Sequence, residues 1–214
     1  MLHLNLFMNA FPGTFPSNLS SLNGLLTFNI GYSFMEGSIL ETMCILTQTT
    51  YLDITGNMFT GSIPDCFNQL QYLEILNIAE NDLTGTLPSA LGSISSLRTI
   101  YASSTYIHGT IPDAYASLVH LANILLWQAC MSGSLPGFVT AFSELQAIDM
   151  RVNLLTGTLP VFSIEKNPFL NTITFSDNFM TSTIPPSYGS LVNLTELNLD
   201  ENKLTGTIPP QLGS

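Results

Sequence analysis

Apolar residues along the chain alternate in short pairs separated by one position, as in Leu4/Leu6, Leu52/Ile54, Leu76/Ile78, Ile148/Met150 and Leu197/Leu199. Each pair is followed, three residues after its second member, by Asn or a small residue. Steps of 24 from Asn81 reach Asn57, Ser33 and Asn9 in one direction and Thr105, Ala129 and Asn153 in the other. One step of 25 then reaches Asn178 and a last step of 24 reaches Asn202. Glycine stands four residues after eight of these nine origins, Ser182 being the exception. Ser or Thr stands five after all nine, and proline seven after eight, with Leu40 in the second repeat. A phase held nine times is an internal repeat, and a repeat of this length predicts a solenoid.

Elementary chemistry turns the pattern into elements. Alternation with period two makes a short strand with one face inward. Successive strands then stack as a parallel sheet at ~4.8 Å per rung. The Asn amide sits where the chain leaves the strand and can bond backbone groups of its own and the neighbouring coil. Gly and Pro are expected to set a turn with few hydrogen bonds across the opposite side. Apolar pairs such as Phe67/Leu70, Leu91/Ile94, Tyr115/Leu118 and Tyr188/Leu191 fit a short helical or 3₁₀ piece that closes each coil.

The stretches LEILNIAENDLTGTLPSALGSISS (73–96) and LTELNLDENKLTGTIPPQLGS (194–214) resemble the plant-type leucine-rich repeat, known from receptor-like kinase ectodomains and polygalacturonase-inhibiting proteins. The resemblance runs through the whole chain. It implies an α/β fold: a right-handed leucine-rich-repeat solenoid of nine 24-residue coils, its parallel sheet on the concave face and short helical or 3₁₀ segments on the convex side. Residues 1–214 read as a single array without capping units at either end, hence as a segment of a longer protein. Ser33, Thr105 and Ala129 lack the Asn amide and are expected to leave backbone groups to water or to neighbouring coils. Leu40 is expected to weaken its turn. The segment VFSIEKNPF after Pro160 lacks the usual pattern and is expected to bulge as an irregular loop.

Charge narrows the functional classes. Only 9% of residues are charged, and four Lys+Arg against fifteen Asp+Glu leave a formal net charge of -11. Nucleic acid is excluded, because phosphate binding draws on clustered cations and only Arg98, Arg151, Lys166 and Lys203 exist. The same scarcity leaves no polybasic membrane patch. No apolar run reaches the ~18–20 residues of a spanning helix, so no direct membrane contact by this segment is expected.

Residues alternating with the inward positions of each strand point to the concave face. Tyr101, Leu125, Trp127, Asp149 and Arg151 fall there on neighbouring rungs, and Tyr51 and Asp53 extend the patch. Aromatic and Arg anchors beside polar groups are the composition of interaction hot spots. The patch therefore reads as a binding face for a protein or peptide ligand, with room for a co-receptor.

Catalysis finds no constellation. GxSxG, HExxH, CxxC and phosphate-cradling loops are missing, and His3, His108 and His120 fall at different phases of the coil. No metal site or cofactor is expected; Asp177, Asp200 and Glu201 read as a solvated acidic face. Cys44 and Cys66 lie in adjacent coils, where a disulfide is open to them although a buried thiol pair is the expectation, and Cys130 is expected to pack as a small hydrophobe. Sequons place glycosylation candidates at Asn18 and Asn193. The functional expectation is a non-enzymatic, receptor-like recognition module of a cell-surface or secreted protein. The alternatives are a structural or adhesive wall element and an inhibitor of a secreted hydrolase.

Overall fold

The computed structural model describes residues 1–38 and 41–213; the turn at Leu40 lies outside the described residues. Nine three-residue strands, from His3–Asn5 through Tyr51–Asp53, Thr99–Tyr101 and Asn123–Leu125 to Glu196–Asn198, form one parallel sheet in strict chain order. Register follows the repeat: Tyr51 pairs with Thr27 and Ile75, and Leu125 with Tyr101 and Asp149. The 25-residue step is absorbed without a slip, since Ala147 still pairs with Thr172.

The core is continuous along the array because every coil contributes the same inward positions. Leu52, Ile54, Leu76, Ile78, Ile148 and Met150 from the strands are fully buried. They meet Phe67, Leu91, Val139 and Tyr188 from the closing segments. A third wall comes from the residue two after six of the origins, namely Phe59, Leu83, Ile107, Met131, Leu155 and Met180, all fully or almost fully buried.

The buried Asn ladder works as its spacing implies. Asn57 Nδ2 donates to the carbonyls of Ile54 (3.0 Å) and Thr55 (3.2 Å) in its own coil and of Ile30 (2.9 Å) in the preceding one. Its Oδ1 accepts the Ser33 (3.1 Å) and Met35 (2.9 Å) amides. Asn81, Asn153, Asn178 and Asn202 repeat the scheme. The hydroxyl substitutes recover part of it rather than leaving their groups to water. Ser33 Oγ donates to the Leu6 carbonyl (3.0 Å), and Thr105 Oγ1 to that of Ala102 (2.8 Å).

Two expectations are corrected. The Gly and Ser/Thr stretches are not hydrogen-bond-poor turns; they form a second set of short parallel ladders. One joins Gly13–Thr14, Met35–Ser38, Met58–Gly61 and Asp82–Leu83, and another joins His108–Gly109, Cys130–Ser134 and Leu154–Thr156. Spacing fixed by the concave sheet brings these backbones within pairing distance, and pairing satisfies groups that would otherwise be stranded. Glycine is wanted there for its left-handed backbone, as at Gly85 (φ 80°), and Ser182 adopts the same region (φ 78°). The cysteines are the second correction. Cys44 and Cys66 are disulfide-bonded, joining the 3₁₀ segments Glu41–Ile45 and Asp65–Gln69 of consecutive coils, and Cys130 is exposed. Cys130 stands one after its origin, where side chains of the second ladder face outward.

The closing segments are 3₁₀ turns, including Ser89–Ser93, Asp113–Ser117 and Pro186–Ser190. The coil after Pro160 has none and runs as irregular turns. Buried Asn167 pins that loop: its Oδ1 accepts from Ser163 N (3.3 Å) and its Nδ2 donates to the Phe142 carbonyl (3.1 Å). No helix of the described residues is long and apolar enough to cross a membrane.

Candidate functional site on the concave face

Side chains of the concave face emerge from the strand positions that alternate with the core. The Asn or Asp that stands four before six of the nine origins has a structural task, because its side-chain oxygen accepts the amide two residues on and so closes the strand end. Asn29 does this for Gly31 (2.9 Å), Asp53 for Thr55 (3.0 Å) and Asp149 for Arg151 (3.2 Å). Asp53 and Asp149 are accordingly buried.

Their second oxygens face the surface. Asp53 Oδ2 accepts the Tyr51 hydroxyl at 2.7 Å. Partial burial, together with the bond to Asp53 and its charge, drives the Tyr51 phenol well above the ordinary tyrosine range. Asp149 Oδ2 lies 3.5 Å from Arg151 Nε, and the Arg151 guanidinium stacks 5.3 Å from the centre of the Trp127 ring. Trp127, Arg151 and Asp149 thus form one connected unit, with half-buried Leu125 and Tyr101 on the adjoining rungs.

Tyr51, Asp53, Tyr101 and Trp127 converge on one shallow hollow of about 490 Å³. Leu125, Asp149 and Arg151 flank it without lining it. Among the other residues of the wall, Phe7, Tyr32 and Glu80 add two aromatic rings and a second carboxylate. Phe7 and Tyr32 meet edge to face with centroids 5.6 Å apart, and the Tyr32 hydroxyl donates to Glu80 Oε1 at 2.8 Å. That hydrogen bond, more than burial, raises the Tyr32 phenol above its ordinary value.

Phe7 lies on the concave-facing strand phase but carries no neighbouring anchor in the sequence. Tyr32 and Glu80 stand one residue before their origins, outside that phase. The backbone at this position is left-handed in both (φ 50° and 53°), which turns the side chains back over the sheet. A signal was nevertheless present 24 residues later. A Cβ at Gly31 would sit 3.0 Å from the Phe7 ring, and one at Gly56 would collide with the Tyr32 ring. Each aromatic ring therefore lies over a glycine of the next coil.

The remaining candidates stay apart. His3 approaches Thr27 Oγ1 (3.0 Å), His120 pairs with Glu144 (2.6 Å), and His108 is exposed on the second ladder. Asp177, Asp200 and Glu201 are exposed, and among the described residues no group of three or more His, Cys, Asp or Glu is placed to hold a metal ion. Asn18 and Asn193 are both exposed, and Asn193 Nδ2 donates to the Pro168 carbonyl (2.7 Å).

A leucine-rich-repeat family model matches residues 47–107, and a second one matches residues 193–214. No curated protein sequence matches the chain. Among solved structures, the ectodomain of the Arabidopsis thaliana membrane receptor kinase GASSHO1/SCHENGEN3, in complex with CASPARIAN STRIP INTEGRITY FACTOR 2, superposes with a TM-score of 0.93 at 30% identity. That match covers 100% of this chain and 26% of the receptor chain. The plant peptide hormone receptor RGFR1, in complex with RGF2, gives 0.91 at 29% identity over 99% of this chain and 34% of its own. The Arabidopsis receptor kinase HAESA, bound to the peptide hormone IDA and the co-receptor SERK1, gives 0.94 at 25% identity over 100% of this chain and 36% of its own. The chain thus spans about a quarter to a third of the length of these structures.

Proposed function

Because the chain is a leucine-rich-repeat protein whose repeats are of the plant type, we propose that it is a ligand-binding module, holding a protein or peptide on its concave face. The observation that carries this reading is the hollow itself, where Tyr51, Tyr101 and Trp127 converge with buried Asp53 beneath them. Aromatic side chains lose little conformational entropy on binding and desolvate well, so a cluster of them is a hot-spot arrangement. The Arg151 guanidinium stacks on the Trp127 ring and so favours the orientation in which that ring faces the hollow. The three receptor ectodomains it resembles are each described with a peptide or protein ligand, which favours the same role here.

The module acts by recognition rather than catalysis, as part of a receptor-like protein at the cell surface or secreted from the cell. The Cys44–Cys66 disulfide supports that compartment, since such bonds persist mainly in oxidising surroundings. Selection of a random peptide library on the purified chain tests the reading. Enriched peptides should lose at least about 30-fold in affinity for the Trp127→Ala/Tyr101→Ala double variant. Peptides that bind wild type and double variant equally would refute it.

A further inference from the structure

The chemistry of the hollow specifies what kind of group it would take. Its wall carries five aromatic rings, from Phe7, Tyr32, Tyr51, Tyr101 and Trp127, among neutral polar side chains such as Asn29, Asn77 and Ser103, and its ionisable groups besides the phenols are the two carboxylates of Asp53 and Glu80. No Lys, Arg or His contributes to the lining. The protein as a whole carries a net charge of -11, so the field over this face does not offset the two acids.

Aromatic faces beside carboxylates attract cations, through the negative ring face and through direct pairing. The chain provides its own example of the match at the rim. The guanidinium of Arg151 stacks on Trp127 and lies against Asp149, an aromatic ring and a carboxylate in the same combination.

The carboxylates are held in place. Glu80 is fixed by the Tyr32 hydroxyl, and Asp53 by the Tyr51 hydroxyl and the Thr55 amide. Each hydroxyl donates its hydrogen bond to a carboxylate, which fixes the acid beside the aromatic rings that line the hollow. Gly31 and Gly56 leave the room into which the Phe7 and Tyr32 rings pack. A side chain at either glycine would push a ring out of position.

From this we infer that the concave hollow is a cation-recognition pocket, receiving an arginine or lysine side chain of a basic peptide segment. The inference rests on the ligand-binding reading above and names the chemistry of its ligand. Trp127 is the single tryptophan and lines the hollow, so its fluorescence reports occupancy directly.

The test titrates the full chain with acetylated, amidated tetra-arginine and, separately, with tetra-glutamate of the same form. Tetra-arginine should change the Trp127 emission saturably, tetra-glutamate should not, and the affinity should fall as salt is raised. Glu80→Gln, which keeps the hydrogen-bond acceptor and removes the charge, should weaken tetra-arginine about fivefold or more. Tyr101→Ala should weaken it to a similar degree, of the order expected for one cation–π contact. Gly31→Ala, at a glycine whose backbone is not left-handed, should weaken it by displacing the Phe7 ring. Saturable binding of tetra-glutamate, or no response to tetra-arginine, overturns the inference, as does a Glu80→Gln variant with unchanged affinity. Library peptides that depend on Trp127 and Tyr101 yet lack Arg and Lys would overturn it alone and leave the ligand-binding role standing.

Discussion

Replacing Asn153 with Ala removes the polar hub of one coil. The amide is 6% exposed. It donates to the carbonyls of Leu126 (2.8 Å), Met150 (3.0 Å) and Arg151 (3.1 Å) and accepts the Met131 amide at 2.9 Å. Leu126 and Met131 belong to the preceding coil and are almost fully buried, so their backbone groups gain no water when the amide is lost. At about 1–3 kcal/mol for each buried group left unpaired, these two alone give a destabilisation of about 3 kcal/mol. For a chain of this length that lowers the midpoint of thermal unfolding by roughly 6–12 °C. The reverse substitution is available one coil earlier. Ala129 occupies the same phase, and the Ile107 amide it fails to serve reaches only Thr105 Oγ1 at 3.5 Å. Ala129→Asn should raise stability by about 1 kcal/mol by supplying that acceptor. Thermal unfolding followed by circular dichroism measures both effects, and amide hydrogen exchange at Met131 localises the first. If Asn153→Ala costs less than about 0.5 kcal/mol and leaves Met131 protection unchanged, the Asn ladder is not what holds successive coils together.

Three further outcomes follow from buried groups. Tyr188 donates its hydroxyl to the Pro160 carbonyl at 2.8 Å, whereas the buried Tyr115 hydroxyl has no protein partner. Tyr188→Phe should therefore lose about 1 kcal/mol in denaturant unfolding, and Tyr115→Phe should be neutral or stabilising. Reducing the Cys44–Cys66 disulfide, which spans 22 residues, should cost about 3 kcal/mol, measured by urea unfolding with and without reductant. Tyr51, Tyr115 and Tyr188 have phenols raised above the ordinary value of 10.0, with burial the leading cause in each. A raised phenol favours the neutral form, so its contribution to stability is complete below about pH 10 and is lost as pH climbs through the folded-state value. Tyrosinate absorbance should show Tyr115 and Tyr188 ionising late and together with unfolding, with Tyr51 above the exposed rings; early ionisation of the buried pair would contradict their burial.

The repeat made the array legible because one phase controls strand, Asn ladder and closing turn together. Leu52, Asn57 and Phe67 could each be assigned a place from spacing alone. The second ladder escaped because its outward positions vary freely among Phe34, Met58, Asp82, Tyr106 and Cys130, and its Gly-Thr consensus reads as turn chemistry. The disulfide escaped for a different reason: whether Cys44 and Cys66 meet depends on how two 3₁₀ segments stack, which phase counting does not resolve. On the concave face, Trp127 and Arg151 were visible as neighbours on adjoining rungs. Tyr32 and Glu80 were not, because their access to the hollow comes from a left-handed backbone one residue before the origin. Asp53 and Asp149 combine two tasks, and their strand-closing bonds would be expected in any repeat with Asn or Asp at that phase.

The claim that the concave face is where a ligand sits is tested most directly by amide hydrogen exchange of the full chain with and without a library-selected peptide. Bound peptide should slow exchange at residues 51–55, 99–103 and 123–127. The 3₁₀ segments at Ser89–Ser93 and Asp113–Ser117 on the opposite side should be unchanged. Protection confined to those segments, or to the second ladder around Cys130–Ser134, would contradict it.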